Sequence, residues 1–210
     1  METEQYIYSE KMQALKKCNF KIRPAQDSDI DEIVLLHKKE IPSLLARLSI
    51  PLIRLYYSNA YLRKELIFRV IFIEEMFGGF YLATNDKDVS HFKILSNRPW
   101  RLISRMVSSP YSSFLLFRSF IFKNQLPIEM SKAKLLYFGV SKNHRMKGIG
   151  KALINDLILK MIDFGESVLS LHVEGQNIEA INFYKSIGGK VVGKFHRFGR
   201  RITIITLKIN

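Results

Sequence analysis

Only one cysteine, Cys18, occurs in 210 residues. That leaves no disulfide and no thiolate zinc site, and it fits a reducing compartment; Cys18 reads as an incidental or buried thiol rather than a nucleophile. Long apolar runs are also missing. The greasiest stretch, Phe114 to Phe122, is shorter than the ~20 residues a membrane-spanning helix requires, and Arg118 interrupts it. A soluble or peripheral protein is therefore expected. Met1 to Lys17 mixes acidic, aromatic and basic side chains and carries no apolar signal-peptide core, so secretion is not expected and a cytoplasmic location is. No internal repeat and no Gly/Ser-rich or Pro-rich linker divides the chain, whose length suits one substantial core. A single domain over 1–210 is the expectation.

Acidic residues are scarce, with 19 Asp+Glu against 33 Lys+Arg and a formal charge of +14. Such an excess favours partners carrying phosphate, carboxylate or lipid headgroups. The basic residues run from Lys11 to Lys208 instead of forming one arm. They suit an ordinary solvated surface or a basic groove, and no nucleic-acid recognition motif accompanies them.

What is present is a succession of strands and helices. Phe20 to Pro24 reads as a short strand, and the acidic run from Asp27 opens a helix that reaches about Glu40. A second helix starts near Pro51, where Leu52, Leu55, Tyr56 and Ala60 recur at helical spacing. Leu66 to Ile73 and Phe80 to Thr84 read as a hairpin turning at Gly78-Gly79. From Asp86 to Ser131 the pattern is irregular, with helical segments near Pro99 to Val107 and Ser112 to Phe122. A strand over Lys134 to Val140 leads into a helix with Ile149, Leu153, Leu157 and Met161 on one face. Strand Val168 to Glu174, helix Asn177 to Ile187, and a hairpin of Val191 to Phe195 with Ile202 to Ile209 across Gly199 complete a mixed α/β sheet.

The chemistry is concentrated in Tyr137-Phe-Gly-Val-Ser-Lys-Asn-His-Arg-Met-Lys-Gly-Ile-Gly-Lys-Ala-Leu, between a strand and a helix. Glycines let the backbone approach a phosphate, and the first N–H groups of a helix lack internal partners. Alone, Arg-x-x-Gly-x-Gly is equally a simple turn before a helix. A dinucleotide fingerprint needs a third glycine and a distant acidic residue, and a P-loop needs Ser or Thr after Gly150-Lys151, where Ala152 stands.

Val140-Ser-Lys-Asn-His-Arg-Met-Lys-Gly-Ile-Gly resembles the acyl-CoA signature of the GNAT superfamily of N-acetyltransferases. Downstream, Leu171-His-Val-Glu-Gly-Gln-Asn-Ile-Glu-Ala-Ile-Asn-Phe-Tyr resembles the second family motif, with Asn177, Ala180 and Tyr184 matching. Ile22-Arg-Pro-Ala-Gln-Asp-Ser-Asp-Ile is similar to the family's opening. Gly188-Gly189-Lys190 departs from the usual Gly-Phe. The resemblance implies a central twisted, mostly antiparallel sheet flanked by helices, with 86–131 as a helical insertion before the fourth strand.

It further implies acetyl-CoA as acyl donor and no metal. The backbone of Phe138 and Val140 would pair with pantetheine like an added strand, and an N–H near Val140 would polarise the thioester carbonyl. Main-chain N–H groups of Met146, Lys147, Gly148, Ile149, Gly150 and Lys151 would hold the pyrophosphate, with the Arg145 and Lys147 side chains adding charge. Tyr184 would protonate the leaving thiolate, and it is alternatively a buried core tyrosine. Asn177 equally suits a helix N-cap. For the base, Glu174 leads, with Glu74, Glu75 and Glu129 behind it; His172 shares the face of Glu174 but lacks companions for a metal.

The acceptor reads as a small-molecule amine such as an amino sugar or a nucleotide-linked amino sugar. Alternatives are a protein N-acetyltransferase acting on an N-terminus or lysine, or a noncatalytic CoA-binding or nucleic-acid-binding module. Residues 100–122 could also lie against a membrane surface.

Overall fold

The computed structural model describes residues 20–121, 131–145, 148–197 and 199–209. Seven strands form one sheet: β1 (Phe20–Pro24), β2 (Leu66–Ile73), β3 (Met76–Thr84), β4 (Ala133–Val140), β5 (Val168–Glu174), β6 (Lys190–Arg197) and β7 (Arg200–Lys208). Their spatial order is β1-β2-β3-β4-β5-β7-β6. Every neighbouring pair is antiparallel except β4 with β5. The helices are α1 (Ile30–Glu40), α2 (Ile50–Tyr61), α3 (His91–Leu95), α4 (Pro99–Val107), α5 (Pro110–Ile121), α6 (Ile149–Asp163) and α7 (Ile178–Ser186). This is the mixed, mostly antiparallel sheet with a helical insertion before β4 that the motifs imply. Among the described residues no helix is long and apolar enough to cross a membrane.

The passage from β1 to α1 turns on one buried carboxylate. Arg23 donates to both oxygens of Asp29 at 2.7 and 2.8 Å, and the Gln26 N–H donates to it at 2.7 Å. Burial opposes the charge, but these donors outweigh it and hold the Asp29 carboxyl below its ordinary range.

The first hairpin turns at Glu74-Glu75, both at positive φ (49° and 69°), and not at Gly78-Gly79 as expected. The glycine pair lies inside β3, where the register against β2 slips between Ile71 and Phe72. Gly79 is needed for close approach: a Cβ there would sit 2.3 Å from the Gly139 carbonyl oxygen of β4. The expected Gly-Phe departure has a similar cause, since a Cβ on Gly189 would meet the Tyr184 carbonyl at 2.6 Å and Ile205 at 2.9 Å.

Two apolar layers cover the sheet. On one face α1, α2 and the insertion pack around Ile33, Leu52, Ile53 and Tyr57. On the other, α6 buries Ile149, Leu153, Leu157 and Met161, the residues its periodicity singles out. A polar pin adds direction to that contact: the Tyr81 hydroxyl of β3 donates to Asp156 of α6 at 2.7 Å, and Arg69 of β2 pairs with the same carboxylate at 2.7 Å. In the insertion, α4 and α5 match expectation, whereas α3 is additional. Ser90 caps it, accepting from the Lys93 N–H at 3.2 Å, and buried Asn59 of α2 donates to the carbonyls of Ile94 and Leu95 at 3.0 and 3.1 Å.

Replacing Gly79 with Ala should cost about 3 kcal/mol in urea unfolding, because the new methyl must push β3 from β4. The neighbouring Gly78, 3.1 Å from the end of the Ile73 side chain, should tolerate Ala at a smaller cost.

Candidate active site

The parallel ladder of β4 and β5 is short: Ala133, Lys134 and Leu135 pair with Leu169, Ser170 and Leu171, and there it ends. At the same point β4 takes an extra residue, since Leu82 and Ala83 of β3 face Tyr137 and Leu135 and skip Leu136. β4 stays with β3 while β5 pairs onward only with β7. The Ser141 N–H donates to the Gly78 carbonyl at 2.9 Å. Strand alternation then turns Gly139 toward β3, and the N–H and C=O groups of Phe138 and Val140 toward the gap beside β5. The two residues singled out in the sequence are thus the ones whose backbone faces the opening.

Beyond β4 a 3-10 turn, Lys142–His144, leads to α6. Gly148 stands at its N-cap with φ 78°, a conformation suited to glycine, and no side chain caps the helix. Gly150 lets α6 come close to α7, for a Cβ would lie 3.2 Å from the Phe183 ring. Ile149 buries its side chain, so its backbone alone is available to a ligand, whereas Lys151 projects outward. Met146 and Lys147 lie outside the described residues. Arg145 does not simply point into solvent: it pairs with Glu179 of α7 at 2.9 Å and Glu40 of α1 at 3.2 Å, bridging helices on either side of the turn.

Asn177 is the N-cap of α7, accepting from the Ala180 N–H at 3.1 Å, while Ala180 packs on the α6 layer. Tyr184, 5% exposed, lies with its ring centroid 6.2 Å from that of Phe138 and 5.3 Å from that of Phe183. Desolvation pushes its hydroxyl pKa up, so it keeps its proton at neutral pH. Glu174 closes β5 and forms an ion pair with Arg200 of β7. Glu74 and Glu75 form the β2–β3 turn, and Glu129 lies outside the described residues.

The opposite side of β4 holds a cluster that no motif announces. Tyr137 lies at ring distances of 4.6 Å from His37, 5.6 Å from Tyr56 and 5.1 Å from His91. His37 bonds Tyr57 through Nδ1 at 2.5 Å and Ser43 through Nε2 at 2.7 Å, and Ser43 also bonds Tyr137. Tyr56 meets His91 Nδ1 at 2.8 Å. His172, on the face of Glu174, packs edge-on against Phe195 at 5.5 Å. These residues come from α1, α2, α3, β4, β5 and β6 and carry no local spacing signal.

Their protonation follows from surroundings. Burial, then His91 and Lys38, lower the His37 pKa to about 3. His91 and His172 are exposed to solvent, yet protein packs closely around them. Desolvation leads, and Arg197 and Lys134 add to it, in lowering both to about 4. All three imidazoles are neutral at pH 7. Among the described residues no group of three or more His, Cys, Asp or Glu is placed to hold a metal ion.

A family model for the acetyltransferase (GNAT) family matches residues 119–188, the span from α5 to the end of α7. A third of the chain thus carries the GNAT family match. Solved structures share the GNAT fold at low identity. Ard1 from Thermoplasma volcanium is 15% identical with a TM-score of 0.59, over 91% of this chain and 99% of that one. The ribosomal-protein-S18-alanine N-acetyltransferase from Escherichia coli is 14% identical with a TM-score of 0.58, over 90% and 94%. YncA from Salmonella typhimurium, solved with its cofactor acetyl-CoA, is 17% identical with a TM-score of 0.58, over 91% and 95%. No curated protein matches the sequence. The GNAT likeness covers β1 to β7, whereas the matched motif covers the gap and its two flanking helices.

His37 makes the fold acid-sensitive. Its folded pKa lies below the unfolded value near 6.5, so the unfolded chain binds a proton first, and stability falls as pH drops through that value toward 3. Between neutrality and pH 5 the loss from this residue should be about 2 kcal/mol in urea unfolding. His37→Asn should flatten that slope.

Proposed function

We propose that this chain transfers the acetyl group of acetyl-CoA to a primary amine, with residues 1–210 working as one domain in the cytoplasm. The observation that carries the reading is the unpaired edge of β4 at Phe138 and Val140, with the uncapped start of α6 at one end and Tyr184 beside it. An extended amide-bearing arm fits such an edge as an added strand, and a pyrophosphate fits the first turn of α6. Acetyl-CoA has both parts and supplies an activated thioester.

In this scheme the Phe138 and Val140 backbone groups bind the arm. The Val140 N–H donates to the thioester carbonyl oxygen, where negative charge grows during attack. Gly148, Ile149, Gly150 and Lys151 surround the pyrophosphate, while Arg145 ties α1 and α7 to the turn. Attack forms the C–N bond and breaks the C–S bond. Tyr184 gives its proton to the departing thiolate, and buried as it is, it carries that proton into the reaction. Glu174, oriented by Arg200, accepts the amine's proton through water.

The acceptor enters from the Tyr137 side. The charged side chains acting on His91 and His172 are Arg197 and Lys134, both cationic. Such a field disfavours an ammonium group, so the amine arrives deprotonated, and it favours an acceptor with an anionic group nearby. A nucleotide-linked amino sugar meets both conditions better than a lysine side chain does.

Calorimetry with acetyl-CoA and thioester consumption with amino sugars, nucleotide-linked amino sugars and amino-terminal peptides test this directly. Tyr184→Phe should lower turnover on the order of 10²-fold while leaving acetyl-CoA affinity intact. Glu174→Gln should lower turnover less and shift the pH profile. Peptides as the sole substrates would reassign the acceptor, and failure of the parent protein to bind acetyl-CoA would end the proposal.

A further inference from the structure

The insertion between β3 and β4 has no part in the chemistry above apart from His91, yet among the described residues it holds the most exposed apolar side chains. Helix α4 turns Leu102 and Met106 to the core and presents Trp100, Ile103 and Val107 outward, one stripe at i, i+3 and i+7. Trp100 is 81% and Val107 78% exposed. Helix α5 repeats the arrangement, with Ser112 and Leu115 buried and Tyr111, Phe114 and Phe117 exposed. Each helix is therefore apolar on two sides. A monomer in water has no use for the second side, and large exposed apolar patches mark contact surfaces.

Charge says what covers it. From Val89 to Ile128 the sequence contains no Asp or Glu, while Lys93, Arg98, Arg101, Arg105, Arg118 and Lys123 fall within it. Arg101 and Arg105 project from α4 beside the apolar stripe. A second copy of this chain would set this basic face, on a molecule of charge +14, against an equally cationic molecule. Apolar aromatic side chains interleaved with arginines, on helices too short and too polar to span, match the boundary between acyl chains and anionic headgroups.

We propose that α4 and α5 dock this protein on an anionic lipid surface, with Trp100, Phe114 and Phe117 entering the headgroup layer and Arg101 and Arg105 contacting lipid phosphates.

Trp100 is the sole tryptophan, so its emission reports on this face alone. The full chain would be mixed with vesicles of phosphatidylcholine and phosphatidylglycerol, and separately with vesicles of phosphatidylcholine alone. With the anionic vesicles we expect co-flotation and a blue shift of Trp100 emission, both reversed by salt, and neither with the neutral ones. Phe114→Ser with Phe117→Ser should weaken binding at least about tenfold, and each of Arg101→Ser and Arg105→Ser roughly fivefold. These positions are exposed, and unchanged thermal unfolding would show that the variants fold. Flotation without a blue shift would mean binding by net charge elsewhere and would overturn the proposal, as would absence of flotation. So would an equal blue shift with soluble polyglutamate, which would indicate an acidic protein partner, or a concentration-dependent shift in the protein alone, which would indicate self-association.

Discussion

The structure depends on a sheet that is deliberately left incomplete at its centre. Backbone N–H and C=O groups inside a protein need partners, and a strand in the middle of a sheet ordinarily finds them on both sides. Here β4 and β5 share three residue pairs and then part, and the extra residue at Leu136 turns β4 away at that same point. The donors and acceptors of Phe138 and Val140 are left facing an opening in the middle of a rigid sheet. A ligand that can behave as a strand completes the ladder there. The rest of the fold keeps the gap from closing: β5 is held on its far side by seven pairs with β7, and β4 by β3, whose glycine at position 79 permits the close approach.

Placement of the α6 N-terminus follows from the same need for rigidity. A helix start attracts an anion only if it is fixed in direction, and α6 is fixed by an apolar stripe and by the Tyr81–Asp156–Arg69 cluster two turns along. Arg145 adds a different kind of restraint. Its pairs with Glu40 and Glu179 are partly solvated, so they contribute little to stability. They do, however, join α1, the glycine turn and α7, the three elements around the mouth of the gap.

Legibility in the sequence divides along this line. Helix α6 and its glycine turn were readable because left-handed backbone and close approach select glycine, and a buried stripe selects a period. The strand ends and Asn177 as a cap were readable for similarly local reasons, whereas Tyr184 was singled out only by its place in the family motif. The Glu74-Glu75 turn was not, because carboxylates give no hint of positive φ, while Gly78-Gly79 mimicked a turn although their role is contact with β4. Helix α3 is five residues long, too short for a periodic signal, and is held by Asn59, 35 residues upstream of Ile94. The cluster of His37, Tyr137 and His91 assembles from elements spread across the chain, and no window of sequence contains it.

That contrast has a chemical reason. A shared donor molecule can be held by main-chain groups, which any side chain supplies, so its site is written in glycines and in strand geometry. An acceptor must be distinguished from other amines, and this takes side chains whose charge and shape can vary independently of the fold. The neutral imidazoles around Tyr137 illustrate the point. A carboxylate in their place would attract ammonium groups of every kind, whereas uncharged imidazoles beside Arg197 and Lys134 offer no such attraction. The side of β4 that the sequence conceals is thus the side whose chemistry is set by side chains drawn from distant parts of the chain.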